Sequence, residues 1–184
     1  MSNLMLVAPI QGWVAPLAEV PDPVFAERIL GDGVAIDPTG STVHAPCDAL
    51  VLAVAHHAVT LRAANGAEIL IHVGLETVAL NGRGFVTHVR DGASVRTGEL
   101  LITFDLDFLA GHAKSLISPI VVTNGDAFAI ARRRTDRETG LGEFLMELRP
   151  LSALVAAAPD EAVRDVVLLL SHGLHARPAA AVAT

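Results

Sequence analysis

One cysteine, one tryptophan and no tyrosine stand in a chain of 184 residues. The single thiol, Cys47, excludes an intrachain disulfide and any zinc cage built on cysteines. Basic residues are scarce as well. Thirteen Lys and Arg against twenty Asp and Glu leave a net charge of −7. The basic stripe that meets nucleic-acid phosphates is therefore missing, and we read no nucleic-acid partner. No apolar run reaches the ~18 residues of a membrane span. The amino terminus, Met1-Ser2-Asn3-Leu4-Met5-Leu6-Val7, lacks the basic stretch that opens a signal peptide. What is abundant is Ala, Val and Leu, within a hydrophobic share of 52%. Such a composition excludes disorder for the chain as a whole and supplies a core. A cytoplasmic protein is expected.

From residue 5 to about 130, apolar runs of four to six residues alternate with Gly, Pro, Asn and Asp. Examples are Leu50–Val54, Val59–Arg62, Glu68–Val73 and Leu100–Phe104. This spacing predicts an all-β antiparallel sandwich or barrel. Two short helices interrupt it. Asp22 caps a stretch with Pro23 at its first position and Gly31 at its end, which predicts about two turns. Phe108–Ser115 predicts a further helical turn. The segment Ala8-Pro9-Ile10-Gln11-Gly12-Trp13-Val14 echoes Ala45-Pro46-Cys47-Asp48-Ala49-Leu50-Val51, which suggests a sheet of related β-units. Arg132-Arg133-Arg134 and the mixed charges after it read as a solvated turn before a closing strand over Gly142–Leu148.

Composition then changes. Residues 151–164, rich in Ala, Pro, Asp and Glu, read as a linker after a first domain of residues 1–150. Residues 165–184 read as a strand, a turn and the opening of an Ala-rich helix, too short to bury a core of their own. Here Gly173-Leu174-His175-Ala176-Arg177-Pro178 places His175 and Arg177 at a helix entry, where free N–H groups suit an anion.

Eight histidines require placing. Asn65-Gly66 is a strong hairpin signal between Val59–Ala64 and Ala67–Val73. With those two residues as the loop, Ala64 faces Ala67, Val59 faces His72 and His57 faces Gly74. His57 and His72 are then diagonal neighbours on one face, their Cβ atoms about 7 Å apart. On this register a one-residue slip would turn His72 to the other face and separate the pair. Three readings of the pair remain open: rim histidines satisfied by carbonyls, a proton- or phosphoryl-handling pair, or part of a zinc site with Glu76 as a further ligand. His44, His88, His112 and His172 show no ligand spacing and read as surface or structural residues. Cys47 reads as a small packed residue.

Several motifs, in order, resemble the glucose-type enzyme IIA of the bacterial sugar phosphotransferase system. They are Val20-Pro21-Asp22-Pro23-Val24-Phe25-Ala26-Glu27, Leu30-Gly31-Asp32-Gly33-Val34-Ala35-Ile36, Glu68-Ile69-Leu70-Ile71-His72-Val73-Gly74-Leu75-Glu76-Thr77-Val78 and Thr103-Phe104-Asp105-Leu106. The tail motif Gly173–Ala180 resembles the active-site segment of HPr, the histidine phosphocarrier of the same system, so residues 165–184 would be the truncated start of an HPr domain in a multiphosphoryl transfer protein. The resemblance implies a phosphotransferase with the β-sandwich of the glucose-permease IIA type. His72 would accept a phosphoryl group at Nε2 from phospho-HPr, assisted by His57, and pass it to the IIB domain of a glucose- or N-acetylglucosamine-type permease. It also implies partner contacts through Asp22, Val24, Phe25 and Glu76. The chain departs from the family at Ala55, where Thr is common, and at Glu76, where Asp is common. No cofactor and no metal are expected. A second role, as a phosphorylation-dependent binding module for regulatory target proteins, would use the apolar collar of Val24, Phe25 and Ile29; the HPr-like tail is not expected to act as a working phosphocarrier.

Overall fold

The computed structural model describes residues 2–151. Fourteen strands and two short helices follow one another there: β1 (Leu4–Val7), β2 (Gly12–Pro16), α1 (Pro23–Ala26), β3 (Asp32–Pro38), β4 (Thr42–His44), β5 (Ala49–Ala55), β6 (Ala58–Ala63), β7 (Glu68–His72), β8 (Phe85–Thr87), β9 (Ser94–Val95), β10 (Leu100–Phe104), α2 (Leu106–His112), β11 (Ser118–Val122), β12 (Phe128–Arg133), β13 (Arg137–Thr139) and β14 (Phe144–Pro150). All pairs between them are antiparallel, as the sequence predicts. One eight-stranded sheet runs β13-β2-β3-β11-β7-β6-β5-β9, and two three-stranded sheets run β1-β14-β12 and β4-β10-β8.

The echoed Ala-Pro segments are related in space. Val7 N–H donates to the Pro46 carbonyl and His44 N–H to the Pro9 carbonyl, so the two segments cross reciprocally. Each alanine then exchanges hydrogen bonds with a Gly-Glu turn: Ala8 with Gly142 and Glu143, Ala45 with Gly98 and Glu99. The strand order carries the same symmetry. β13, β2, β3 and β11 mirror β9, β5, β6 and β7, and β1-β14-β12 mirrors β4-β10-β8. The symmetry fails in one connection. β5 reaches β6 through His56-His57 alone, whereas β2 reaches β3 through residues 17–31, which include α1.

Alternation sorts the apolar residues into two clusters. The main core between the sheets takes Val59, Leu61, Ile69, Ile71, Val73, Ile120 and their neighbours. A smaller cluster on the outer face of the large sheet joins Leu17, Val20 and Phe25 to Ala35, Leu75 and Val121. It seats the 17–31 segment on the sheet.

Three expectations need correction. The helix after Asp22 has one turn, not two. It ends because Arg28 adopts a left-handed conformation (φ +59°), with Ile29 N–H bonding the Val24 carbonyl and Arg28 N–H the Phe25 carbonyl. These two bonds satisfy the last carbonyls before Gly31 is reached. The second helix begins two residues earlier than expected, because Asp105 accepts from the Phe108 N–H and caps it. Finally, Arg132 and Arg133 are strand residues rather than a turn. Arg132 pairs with Glu147, and Arg133 pairs with Asp32, joining β12 to β3 of the large sheet. Burial alone would raise the Asp32 carboxyl, but the Arg133 hydrogen bond and charge, with Gly33 N–H and Arg28, hold it below the ordinary range.

The linker and the HPr-like segment with His175 and Arg177, together with His172, lie outside the described residues from 152 onward.

Candidate functional site

The Asn65-Gly66 hairpin closes with a different register from the one its sequence suggests. Ala63 pairs with Ala67, so the loop has three residues. Gly66 is left-handed (φ +92°) and donates to the Ala63 carbonyl, while Asn65 Oδ1 accepts from Ala67 N–H. A two-residue loop of the favoured type needs positive φ at both Asn and Gly; only the glycine has it here. The ladder therefore shifts by one. Val59 faces Ile71, and His72 faces Ala58. Val59 and Leu61 point into the main core, while His72 points to the outer face beside Leu70.

The two histidines meet nonetheless. His57 is not a strand residue: it occupies the tight turn between β5 and β6, outside strict alternation. Its carbonyl accepts from Val73 N–H at 2.8 Å, which extends the ladder one residue and places it beside the end of β7. The His57 and His72 ring centroids lie 4.9 Å apart at an interplanar angle of 69°. The Phe25 ring flanks His72 from the other side at 5.6 Å, and Phe85 lies 6.5 Å from His57.

His72 Nδ1 lies 2.8 Å from the Gly74 carbonyl. A carbonyl only accepts, so Nδ1 carries the proton and the Nε2 lone pair of the neutral ring is left free. Burial pushes the His72 pKa down, opposed by the Gly74 carbonyl and the Asp22 carboxylate. Burial also lowers the His57 pKa, and the neighbouring His72 and His56 add to it. Both rings are therefore neutral at pH 7, which is the nucleophilic form.

Of the other expected residues, Asp22 and Phe25 lie beside His72. Asp22 caps α1 by accepting from Val24 N–H. Phe25 is buried against His72 and the outer cluster. Val24, Ile29 and Leu30 are exposed, as are Val78 and Val86. Glu76 has a left-handed backbone (φ +58°), and its exposed carboxylate pairs with Lys114 at 3.5 Å. Among the described residues, no group of three or more His, Cys, Asp or Glu is placed to hold a metal ion. His56, which strand alternation predicts to point away from the His57 face, packs against Gly82, where an added Cβ would come within 2.8 Å of its ring. His56 and His57 line one wall of a pocket of about 340 Å³ completed by Val78, Asn81 and Thr87.

Among the described residues, the remaining histidines hold structure. His44 bridges Gly98 and Thr42, His88 bonds Thr103, and His112 stacks on Phe108. Cys47 is buried, and burial with the Asp48 charge pushes its thiol up to about 11, so it stays protonated.

Residues 4–128 match the family model described as phosphoenolpyruvate-dependent sugar phosphotransferase system, EIIA 1. The chain belongs to this EIIA family. It is similar to the glucose-specific EIIA component of the phosphotransferase system of Bacillus cereus, 54% identical over 124 residues that cover 66% of this chain and 75% of the relative. The corresponding component of Bacillus anthracis is similar to the same extent. The fold matches the glucose permease IIA of Mycoplasma capricolum with a TM-score of 0.76 and 36% identity, covering 80% of this chain and 96% of that one. As an EIIA component the chain is a phosphotransferase carrier, working between a phospho-HPr donor and a IIB acceptor. No helix among the described residues is long and apolar enough to cross a membrane.

Proposed function

We propose that His72 is the phosphoryl acceptor and that this carrier serves a glucose-type permease. The Nε2 lone pair of His72 attacks the phosphorus of phospho-HPr. The new N–P bond forms as the old one breaks, and the bonding pair returns to the donor imidazole. In the second step a nucleophile of the IIB domain attacks that phosphorus, the His72 N–P bond breaks, and its electron pair returns to Nε2. His57, whose ring is 4.9 Å from that of His72, donates to the transferring oxygens as their charge develops. The observation that carries this reading is the Nδ1–Gly74 hydrogen bond, which leaves Nε2 as the free nitrogen. The glucose assignment rests on what the Bacillus relatives are called.

Exposed Val24, Ile29, Leu30 and Val78, set around a largely neutral site, support apolar docking of HPr and IIB and, by the same face, of regulatory target proteins in the cytoplasm. Asp22 and Glu76 supply the acidic rim. The carrier domain spans residues 1–150; β14, the last described strand, ends at Pro150. The test is incorporation of phosphate from phosphoenolpyruvate in the presence of enzyme I and HPr. One acid-labile phosphate per chain is expected, and none in His72→Ala; a label that persists there overturns the assignment.

A further inference from the structure

β11 is buried along its whole length and reads Ser-Pro-Ile-Val-Val. Its one polar side chain, Ser118, is fully buried. Thr77, the first residue of a 3₁₀ turn over Thr77–Leu80, is the other buried hydroxyl near His72, with 1% of its surface exposed. Valine or alanine would fill either place without a polar group to satisfy, so both hydroxyls call for a reason.

Both hold the same peptide group. Thr77 Oγ1 donates to the Val73 carbonyl at 2.7 Å. The Gly74 N–H, at the other end of that peptide, donates to Ser118 Oγ at 3.0 Å. Ser118 Oγ in turn donates to the Leu116 carbonyl at 2.8 Å, which fixes its own proton and points its lone pair at Gly74. Gly74 sits at φ +67°, and a Cβ there would come within 2.9 Å of Thr77 and 3.0 Å of the Ser115 carbonyl. The chain is thus pressed into one conformation at the residue whose carbonyl accepts from His72 Nδ1. The following peptide is tied as well, by Leu75 N–H to the Ser115 carbonyl.

We propose that Thr77 and Ser118 are positioning residues for phosphoryl transfer: by clamping the Val73–Gly74 peptide they aim the Gly74 carbonyl at His72 Nδ1 and so set the tautomer and orientation of the reacting ring. Neither touches the phosphoryl group. The inference rests on His72 being the acceptor, but its first readout does not. In the unphosphorylated protein, imidazole ¹⁵N–¹H spectra report which nitrogen of His72 carries the proton. The intact protein shows Nδ1–H. Thr77→Val and Ser118→Ala move population to Nε2–H, while Thr77→Ser, which keeps the hydroxyl, does not. In transfer from phospho-HPr, the two hydroxyl-less variants lose about tenfold in rate at saturating donor, the low end of the loss seen when the partner that orients a metal-bound imidazole is removed. Their apparent affinity for phospho-HPr stays within about twofold, since the docking face is untouched, and Thr77→Ser restores the rate.

Circular dichroism and melting establish that each variant is folded; Ser118→Ala removes only one oxygen and carries the test if Thr77→Val does not fold. An unchanged Nδ1–H tautomer in a folded hydroxyl-less variant overturns the inference, whatever its transfer rate. Equal loss in Thr77→Ser overturns it also, because the hydroxyl would then not be the cause. A shifted tautomer with undiminished transfer supports the clamp and counts instead against His72 as the acceptor.

Discussion

At the scale of single residues, the chemistry of the site depends on where protons sit. His57 and His72 are neighbours at the surface end of a sheet, and burial lowers both pKa values. Two consequences have a definite sign. The nucleophilic neutral ring persists below the ordinary imidazole value of about 6.5, so the acid limb of phosphoryl acceptance lies below that pH. Titration of the imidazole C–H resonances checks it, with both midpoints expected under 6.5. Stability moves with the same protons. Above 6.5 the folded and unfolded chains are both neutral at these rings. As pH falls, the unfolded chain takes up protons that the folded pair refuses, and stability is lost through the folded values. Urea melts at pH 7.5 and 5.5 should therefore differ more for the natural chain than for His57→Gln. An equal difference would show that burial does not depress His57.

At the scale of elements, α1 is a one-turn helix whose sequence is legible at one end and not at the other. The Asp22-Pro23 start is written in residue types that act locally: an acceptor for the first amides and a ring that pre-sets φ. The stop is not legible because glycine is the usual left-handed residue and Gly31 is the visible candidate; the chain uses Arg28. The hairpin register failed for a similar reason, since Asn-Gly specifies a turn but not whether the loop has two or three residues. That His57 and His72 meet was nevertheless within reach of the sequence, because the three-residue loop and the turn position of His57 offset one another. Asp22 allows its two roles to be separated. Asp22→Asn keeps the capping oxygen and removes the charge that supports protonated His72. Stability should be held while the His72 midpoint drops further. Asp22→Ala should also cost about 1 kcal/mol, the usual loss of a cap, measured by urea unfolding. An His72 midpoint that is the same in Asp22→Asn and the natural chain would remove the charge from the account.

At the scale of the molecule, two related halves form the sandwich, and function enters where they differ. One half turns β5 into β6 with two histidines; the other spends residues 17–31 on the same connection and folds them across the outer face. The repeat was faintly legible as an Ala-Pro echo, but the symmetry resides in hydrogen bonds between segments far apart in sequence, which no local pattern encodes. The inserted segment is held by a cluster that shares no buried residue with the main core: Leu17, Val20 and Phe25 pack on Ala35, Leu75 and Val121. Two clusters on opposite faces of one sheet can open separately. Phe25 is the largest member and also touches His72. Phe25→Ala should remove about 3 kcal/mol of packing from the segment. Because the main core does not depend on it, the loss should be spent first on releasing residues 17–31. Amide exchange should then accelerate there, while β7 and β11 keep their protection. The midpoint of global unfolding should fall by no more than the docking energy of the segment. Phosphoryl acceptance should fall with it, as His72 loses one wall of its site. Uniform acceleration of exchange through β7 and β11 would show instead that the outer cluster and the main core unfold as one unit.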